Sequence, residues 1–320
     1  MSVDSLSHGA SDGRKPLPDP EKQSFNSGNP DASAAGPRQP SVPRWHDNPV
    51  SSQISPRSPL SPARPISVIA HRGASEAAPE HTLAAYRKAI EAGADALECD
   101  VRLTADGHLV CVHDRRINRT SNGRGAVSAL ELADLAALDF GSWKKEGPDE
   151  DPYESPDQEE SDRTSVLTLE RLLQLVADAP RPVGLAIETK HPSRWAGQVE
   201  ARLLELLERY RPVTPVRVMS FSARSLHRIR AAAPHIPTVY LMQLLLPRHR
   251  DGRLPSGVGI AGPSLRILRA HPEYVERAHR LGNEVHVWTV NEPRDVELCV
   301  RLGVDAVITN RPQEVLSQLR

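Results

Sequence analysis

The sequence is short of cysteine, of net charge and of long apolar runs, and each shortage excludes a class of protein. Three cysteines, Cys99, Cys111 and Cys299, occur among 320 residues and form no closely spaced pair, so neither a disulfide framework nor a paired-cysteine zinc site is supported. The formal charge is −1 at pH 7, and lysine and arginine are scattered along the chain. We therefore expect a protein of a reducing compartment that does not bind nucleic acid.

The apolar runs are too short for a membrane span. The longest one, VYLMQLLL at 239–246, is interrupted by a glutamine. The first thirty residues contain no apolar run like the core of a signal peptide. We predict a cytoplasmic protein without stable membrane insertion, and no motif specifies its oligomeric state.

Proline, by contrast, is abundant, with 29 residues. Residues 1–63 are rich in Ser, Pro, Gly, Asn and Asp and cannot bury enough apolar surface to offset chain entropy, so we predict a disordered N-terminal tail. The folded domain is then expected at 64–320. Within it, the acidic stretch 146–162 is interpreted as a solvated loop, because its prolines disfavour a helix.

From residue 65 onward, β-branched apolar runs alternate with helical patterns, which is typical of βα units around a parallel sheet. The candidate strands are 67–73, 96–101, 109–114, 183–190, 216–221, 237–242, 257–263, 284–290 and 305–310. The candidate helices are 81–93, 128–139, 168–179, 195–210, 222–233, 272–282 and 293–303. This order predicts an α/β fold of the TIM (β/α)8 barrel type.

Nine strands are one more than such a barrel needs, and the second and third explain the surplus. They are separated only by a turn around Asp106 and Gly107, so they must be antiparallel neighbours. We predict a β-hairpin insertion at the C-terminal rim. A two-residue turn would place His113 opposite Asp100, whereas a three-residue turn would shift this pairing.

Polar side chains stand at the ends of several strands, where buried apolar residues would otherwise be expected. Period-two alternation puts the two acids of the second strand on one face, and the same holds for the acid and lysine of the fourth. The carboxyl ends of barrel strands meet at the mouth, so these groups should converge there with the hairpin histidine. The set comprises His71, Arg72, Glu98, Asp100, His113, Glu188 and Lys190.

Three carboxylates without cysteine favour one hard divalent cation, Ca²⁺ or Mg²⁺, over zinc. Such a cation, together with Arg72 and Lys190, would neutralise a phosphodiester and its transition state. Two histidines could divide the proton transfers, one accepting from the attacking hydroxyl and the other donating to the leaving group. The set therefore fits phosphodiester cleavage.

The segment VIAHRGASEAAPEHTLAAYRKAIEAGADALECDVRLTADGHLVCVHDRRINRTSNGRG closely resembles the signature of the glycerophosphodiester phosphodiesterase family. The later segments IETK, SFS, WTVN and ITNRP resemble its remaining landmarks in the same order, so the resemblance covers most of residues 66–312. It implies that His71 and His113 are the acid/base pair and that Arg72 holds the phosphate. It also implies that Lys190 contacts the phosphate or the glycerol and that Trp288 packs near the glycerol. The implied metal ligands are Glu98, Asp100 and Glu188.

One position departs from the family pattern. The family usually has Pro-Glu-Asn-Thr where this chain has Pro79-Glu80-His81-Thr82, so an imidazole replaces an amide beside the site. This leaves open which hydrogen bond the amide normally makes. We interpret His81 as an exposed or loop histidine without a role of its own.

The expected reaction is metal-dependent hydrolysis of a small-molecule glycerophosphodiester to sn-glycerol 3-phosphate and an alcohol. Attack by the neighbouring glycerol hydroxyl, giving a cyclic phosphate, and direct attack by water both remain open. A lysophospholipase D-like activity would need the same residues plus an apolar lip, for which 241–247 is the candidate. A catalytically silent barrel used as a binding module is the alternative outside the enzymes.

Overall fold

One sheet of nine strands forms the frame of the computed structural model, which describes residues 65–144, 156–191 and 197–320. The strands are β1 (Ser67–His71), β2 (Ala96–Leu103), β3 (Leu109–Cys111), β4 (Gly184–Thr189), β5 (Val216–Ser220), β6 (Thr238–Met242), β7 (Ile260–Pro263), β8 (Glu284–Trp288) and β9 (Ala306–Thr309). Each overlaps a predicted strand, although β3 ends at Cys111 and the prediction extended it to residue 114. The predicted disordered tail, residues 1–63, lies outside the described residues, so the tail and the domain boundary stay predictions.

Eight of these strands are parallel and close into a barrel. The sheet order is β1-β9-β8-β7-β6-β5-β4-β2-β3, and an additional β1–β2 pairing completes the ring. β3 pairs with β2 and is antiparallel to it, and its Val110 also forms an isolated bridge with Thr168. The predicted TIM barrel with a hairpin insertion is therefore confirmed.

The observed register of the hairpin is shifted by one residue from the register that a two-residue turn would give. Val101 pairs with Cys111 and Leu103 with Leu109, and the amide of Thr104 donates to the carbonyl of His108 at 2.9 Å. Three residues, Ala105, Asp106 and Gly107, therefore form the turn.

Side-chain hydrogen bonds in the turn explain this register. The Thr104 hydroxyl donates to Asp106 at 2.6 Å and accepts from the amide of His108 at 2.9 Å, which closes the longer loop. As a result, the amide of Val112 donates to the carbonyl of Asp100, and the predicted pairing of His113 with Asp100 is wrong.

Alternation along the strands separates an inner from an outer face. The inner face forms a small apolar core of Ile69, Ala96, Ala186, Met219, Val239, Leu241, Ile260, Ala306 and Ile308. On β2, the side chains of Leu97, Cys99 and Val101 belong to the outer core instead. Glu98 and Asp100, which alternate with them, therefore share the inner face of Ala96.

Helices cover the outside of the barrel. They are α1 (Leu83–Glu91), α2 (Leu132–Ala136), α3 (Pro156–Thr164), α4 (Leu169–Ala177), α5 (Gln198–Tyr210), α6 (Ala223–Ala232), α7 (Leu265–Ala270), α8 (Tyr274–Arg280), α9 (Pro293–Leu302) and α10 (Pro312–Leu319). Several begin at a hydroxyl N-cap: the side chains of Thr82, Thr168 and Ser222 accept from main-chain amides of α1, α4 and α6. In the described residues, no helix is both long and apolar enough to cross a membrane.

The acidic stretch 146–162 is predicted to be a loop, and the structure of its last part contradicts this. Residues 145–155 lie outside the described residues, but α3 covers the remainder. Pro156 stands at the first position of α3, where a missing amide hydrogen costs nothing. Asp162 is buried and pairs with Arg87 of α1 at 2.8 Å, so this segment packs on the barrel helices.

The β1–α1 connection depends on Gly73. This residue has φ +82°, and a Cβ there would lie 2.6 Å from the main-chain carbon of Ala85. We expect Gly73→Ala to lower the free energy of unfolding by about 3 kcal/mol or more, since left-handed strain and overpacking add. Denaturant unfolding measures this.

Gly107→Ala is the matched control, because Gly107 has φ +87° and a Cβ added there would meet nothing within 4 Å. Only the strain of about 1–2 kcal/mol applies there. Equal losses for the two variants would contradict the close approach of the β1–α1 connection to Ala85.

Candidate active site

Strand register brings the predicted site residues together at the carboxyl ends of β1, β2 and β4. Across β1 and β2, His71 pairs with Glu98. Across β2 and β4, Asp100 pairs with Glu188. Paired residues of neighbouring strands lie on the same face of the sheet. The register of β1, β2 and β4 therefore places His71 and the three carboxylates at one side of the mouth.

Three carboxylates form the centre of the site. Glu98, Asp100 and Glu188 each offer an oxygen, and these atoms all lie within 4.8 Å of one another. All three side chains are buried, with at most 6 % of the residue exposed. This is the one group of potential ligands of this kind among the described residues.

Two cations compensate part of this charge. Lys190 Nζ lies 2.8 Å from Asp100 Oδ1 and 2.8 Å from Glu188 Oε1. Arg72 Nε lies 3.1 Å from Asp100 Oδ2, and its main-chain amide donates to Glu98 Oε2 at 3.0 Å. Arg72 has a positive φ of 59°, which is uncommon for a residue with a side chain. Three carboxyl groups thus lie next to two positively charged side chains in a buried site.

The pKa values reflect this imbalance. Burial, and then repulsion from Asp100, raises the pKa of Glu98 well above its usual range and that of Glu188 to about 8. Burial would also raise the pKa of Asp100, but Lys190, His81 and Arg72 outweigh it and hold that pKa well below its usual value. Without a further positive charge, the centre carries fewer than three ionised carboxylates at neutral pH.

A divalent cation fits these residues. The donors are oxygens only, which suits a hard cation. Asp100 Oδ1 is buried, and no residue in the described part of the chain offers it an aligned hydrogen bond, although Lys190 is within ion-pair distance. Lys190 is a charged partner of this oxygen, but a carboxylate oxygen can accept more than one contact. The carboxylate group could therefore hold a cation.

His71 lies at the end of β1, next to the carboxylates. Its Nδ1 is 2.7 Å from Asn310 Oδ1, and its Nε2 is 4.0 Å from Glu98 Oε2. Burial, and then Arg72, lowers the pKa of His71 to about 3, so the ring is neutral at neutral pH. Since the amide oxygen only accepts, Nδ1 carries the hydrogen and Nε2 is free to accept a proton.

His113 reaches the site from the hairpin. Its carbonyl accepts two hydrogen bonds from the Arg102 guanidinium, at 3.0 and 2.7 Å, and its Nδ1 lies 2.7 Å from Asp114 Oδ1. About a third of the side chain is exposed. Burial lowers the pKa of His113, while Asp100 and Asp114 act in the opposite direction. Arg102 therefore holds the main chain of His113 one residue beyond the hydrogen bond from Val112 to Asp100.

An ion-pair chain links the hairpin to the β1–α1 connection. Arg119 donates to Asp114 at 2.7 Å and to both oxygens of Glu80 at 2.8 Å. Glu80 also accepts from Arg72 at 3.0 Å. Arg119 and Arg72 outweigh burial and hold the pKa of Glu80 at about 2, so the chain stays ionised.

His81 is buried, so the interpretation of this residue as an exposed or loop histidine is wrong. Only 5 % of the residue is exposed, and its Nε2 lies 2.9 Å from Asp100 Oδ2. Its Nδ1 lies 2.9 Å from the hydroxyl of Tyr86. His81 thus contacts one of the three carboxylates directly.

Trp288 lies at the end of β8, across the mouth from the carboxylates. Its indole nitrogen donates to the carbonyl of Gly262 at 2.7 Å, and its ring stands edge-on to Phe221 with centroids 5.5 Å apart. It packs on the inner barrel core yet remains partly exposed. The residue therefore belongs to both the core and the wall of the mouth.

Sequence reasoning missed the residues that orient the site. They are Glu80, His81, Arg102, Asp114, Arg119 and Asn310. Some carried a usable signal: Arg102 follows the alternation of Glu98 and Asp100, and Asn310 follows β9 directly. The Arg119 link joins residues distant in sequence, and no periodicity predicts it.

Comparison with known proteins gives a consistent result. The model of the glycerophosphoryl diester phosphodiesterase family matches residues 71–314. A protein of Mycobacterium tuberculosis named "Probable glycerophosphodiester phosphodiesterase 1" is 47 % identical over 254 residues, covering 77 % of this chain and 89 % of that protein. A glycerophosphodiester phosphodiesterase of Bacillus subtilis is 34 % identical over 263 residues, covering 79 % and 86 % of the two chains.

A solved structure is similar as well. A phosphodiesterase of Oleispira antarctica, solved in complex with the product sn-glycerol-3-phosphate, superposes with a TM-score of 0.69 at 27 % identity. The match covers 80 % of this chain and 97 % of that one. The similarity therefore extends over the whole barrel.

The raised pKa of Glu188 predicts that cation binding is linked to proton release. At pH 7 a carboxyl with a pKa of about 8 is mostly protonated, and a cation must displace that proton. We expect release of about one proton or more per cation at pH 7, and an affinity that rises from about pH 6 to 8 and then levels off. Calorimetry in two buffers of different ionisation enthalpy measures both.

Glu200→Gln provides the control. Glu200 is also buried, but hydrogen bonds, led by that from His191, outweigh burial and hold its pKa at about 2. This variant should bind the cation with unchanged proton release. Binding without proton release in the unaltered protein would contradict the raised pKa.

Proposed function

This chain belongs to the glycerophosphoryl diester phosphodiesterase family, and on that premise we propose that it hydrolyses glycerophosphodiesters to sn-glycerol 3-phosphate and an alcohol. The observation that carries the proposal is the buried group of three carboxylates, with His71 Nε2 4.0 Å from Glu98 Oε2 and His113 near enough for Asp100 to influence its pKa. The product bound to the Oleispira antarctica relative supports the same class of small-molecule substrate.

Glu98, Asp100 and Glu188 would hold one divalent cation, Ca²⁺ or Mg²⁺. When bound, the cation supplies positive charge to a phosphate oxygen. The same charge would return the raised pKa values of Glu98 and Glu188 towards their ordinary range, so all three carboxylates would be ionised.

Arg72 and Lys190 contribute the remaining positive charge. Both are largely buried, and nearby carboxylates outweigh burial and raise the pKa values of both, so both remain protonated. Their charges would hold the phosphate and stabilise the additional negative charge of the transition state. Lys190 could also contact the glycerol, as could Trp288 from the opposite wall.

A difference between the surroundings of the two histidines supports separate roles for them. His71 is neutral, with a pKa of about 3, and Nε2 is its free nitrogen, so it suits the proton acceptor. Burial lowers the pKa of His113, but the Asp114 carboxylate on its Nδ1 acts in the opposite direction and supports the protonated ring that a donor to the leaving alkoxide needs. This division holds whether the neighbouring glycerol hydroxyl or water attacks phosphorus.

The alternatives receive less support. A silent barrel would be expected to lack one of these residues, and the sequence retains all of them. A lysophospholipase D-like activity would use the exposed Leu244 and Leu246, which follow β6 at the same end of the barrel. Cys99, Cys111 and Cys299 are free and buried, in line with the cytoplasmic location, which stays a prediction.

The substrate and the cation are tested together. We expect the purified protein to release glycerol 3-phosphate from glycerophosphocholine, to lose this activity with EDTA, and to regain it with Ca²⁺ or Mg²⁺. Coupled detection of glycerol 3-phosphate measures it. Turnover of lysophosphatidylcholine with none of glycerophosphocholine would favour the lysolipid activity, and no turnover of either would contradict the proposal.

The roles of the histidines are tested by changing the leaving group. We expect His71→Ala and His113→Ala each to lower turnover of glycerophosphocholine by about 10²–10⁴-fold. A p-nitrophenyl diester needs no proton on its leaving group, so His113→Ala should largely keep activity on it, whereas His71→Ala should not. Steady-state rates on both substrates measure this.

His108→Ala serves as the control, because His108 lies in the same hairpin with its side chain 38 % exposed. Its activity should be unchanged on both substrates. If His71→Ala were the variant that keeps p-nitrophenyl activity, the two roles would be reversed.

A further inference from the structure

We propose that His81 is a positioning residue for the cation site: it fixes the carboxylate of Asp100 so that one oxygen stays available to the cation. The inference rests on the proposed function, because it assumes that Glu98, Asp100 and Glu188 hold that cation. It assigns a role to an imidazole that occupies the place of the family's usual amide.

The hydrogen bonds of the ring carry the argument. His81 Nε2 lies 2.9 Å from Asp100 Oδ2, and since a carboxylate only accepts, Nε2 carries the hydrogen. On the other side, the hydroxyl of Tyr86 lies 2.9 Å from Nδ1 and 3.1 Å from the carbonyl of Glu98, and its single hydrogen can go to either of these acceptors. The ring therefore bridges the side chain of one proposed ligand and, through Tyr86, the main chain of another.

The backbone holds the ring in this place. His81 has φ +61°, an uncommon conformation for a residue with a side chain, and its amide donates to the carbonyl of Arg72 at 3.1 Å. The next residue, Thr82, caps α1. Tyr86 lies on the first turns of α1 and is fully buried, so the imidazole is enclosed between α1 and β2.

The two oxygens of Asp100 are thereby made different. Oδ2 receives the His81 hydrogen bond and lies 3.1 Å from Arg72 Nε. Oδ1 lies 2.8 Å from Lys190 Nζ but, among the described residues, accepts no aligned hydrogen bond, so it keeps acceptor capacity for a cation. With His81 in place, rotation of the carboxylate is restrained and Oδ1 is the oxygen left for a cation. Partners of this kind typically alter metal affinity 10- to 100-fold when removed.

Side-chain length gives a graded set of variants. Glutamine carries an amide nitrogen at nearly the reach of Nε2, so His81→Gln can still donate to Oδ2. Alanine removes the donor altogether. Asparagine favours a positive φ but is one bond shorter, so His81→Asn keeps the backbone conformation and withdraws the donor.

The chain offers a matched control far from the site. His279 Nε2 lies 2.7 Å from Asp305 Oδ2, and this carboxylate also accepts from the amide of Val285, at the amino end of β8. The pair has the same chemistry as His81 and Asp100 but lies at the opposite end of the barrel. His279→Ala therefore removes a comparable His–Asp bond without touching the proposed ligands.

The test is direct titration of the full chain with Mn²⁺ and with Ca²⁺ by calorimetry, with melting temperature measured in EDTA as the folding control. We expect His81→Ala to raise the Kd by about 10- to 100-fold. His81→Gln should stay within about threefold of the unaltered protein, His81→Asn should resemble His81→Ala, and His279→Ala should leave the Kd unchanged. Tyr86→Phe, which keeps the buried ring, should raise the Kd by about 3- to 10-fold.

Each outcome decides the proposal. An unchanged Kd in His81→Ala and Tyr86→Phe, or an equal loss in His81→Gln and His81→Ala, would overturn the role of His81 while leaving the proposed function intact. If His81→Ala did not fold, Tyr86→Phe and His81→Gln would give the decision. If the unaltered protein bound neither cation, the cation site of the proposed function and the role of His81 would both fail.

Discussion

The charge of three buried carboxylates is the constraint on which the rest of the site depends. Strand register sets it, because the pairing of β1, β2 and β4 places Glu98, Asp100 and Glu188 on adjacent inner positions of the barrel. Burial makes this charge costly, as the raised pKa values of Glu98 and Glu188 indicate. The buried charge is confined to one side of the mouth, and the barrel interior below it is apolar.

The surrounding residues compensate the charge in layers. Lys190, Arg72 and His81 contact the carboxylates directly. Arg72 is in turn held by Glu80, and Arg119 links Glu80 to Asp114, the partner of His113. Because the chain of charges ends on the hairpin histidine, the same interactions that neutralise the carboxylates also orient a proposed proton carrier.

The strands and the site could be predicted because period two and the βα alternation are local signals. Glu98 and Asp100 alternate with Leu97, Cys99 and Val101, which fixes their face whatever the rest of the chain does. Barrel closure then follows from the number of strands. The resemblance to the family added the roles, including that of His113, whose position alternation alone would have misplaced.

The hairpin register, the contacts of His113 and the burial of His81 could not be predicted, because each depends on specific side-chain hydrogen bonds. Asp106 closes a three-residue turn through Thr104, which moves the hairpin by one residue. Arg102 binds the carbonyl of His113 with two hydrogen bonds, and no sequence pattern predicts such a contact. His81 looked like a loop residue because the residues that bury it, Tyr86 and Asp100, become its neighbours only after α1 packs on β2.

The central claim is that barrel register builds one cation site from Glu98, Asp100 and Glu188. Anomalous diffraction from crystals grown with Mn²⁺ tests it most directly. The account predicts a single strong peak at the mouth, with an oxygen of each of the three carboxylates as ligands and His81 still bonded to the other oxygen of Asp100. A peak elsewhere on the barrel, or one at the mouth without all three carboxylates, would contradict it.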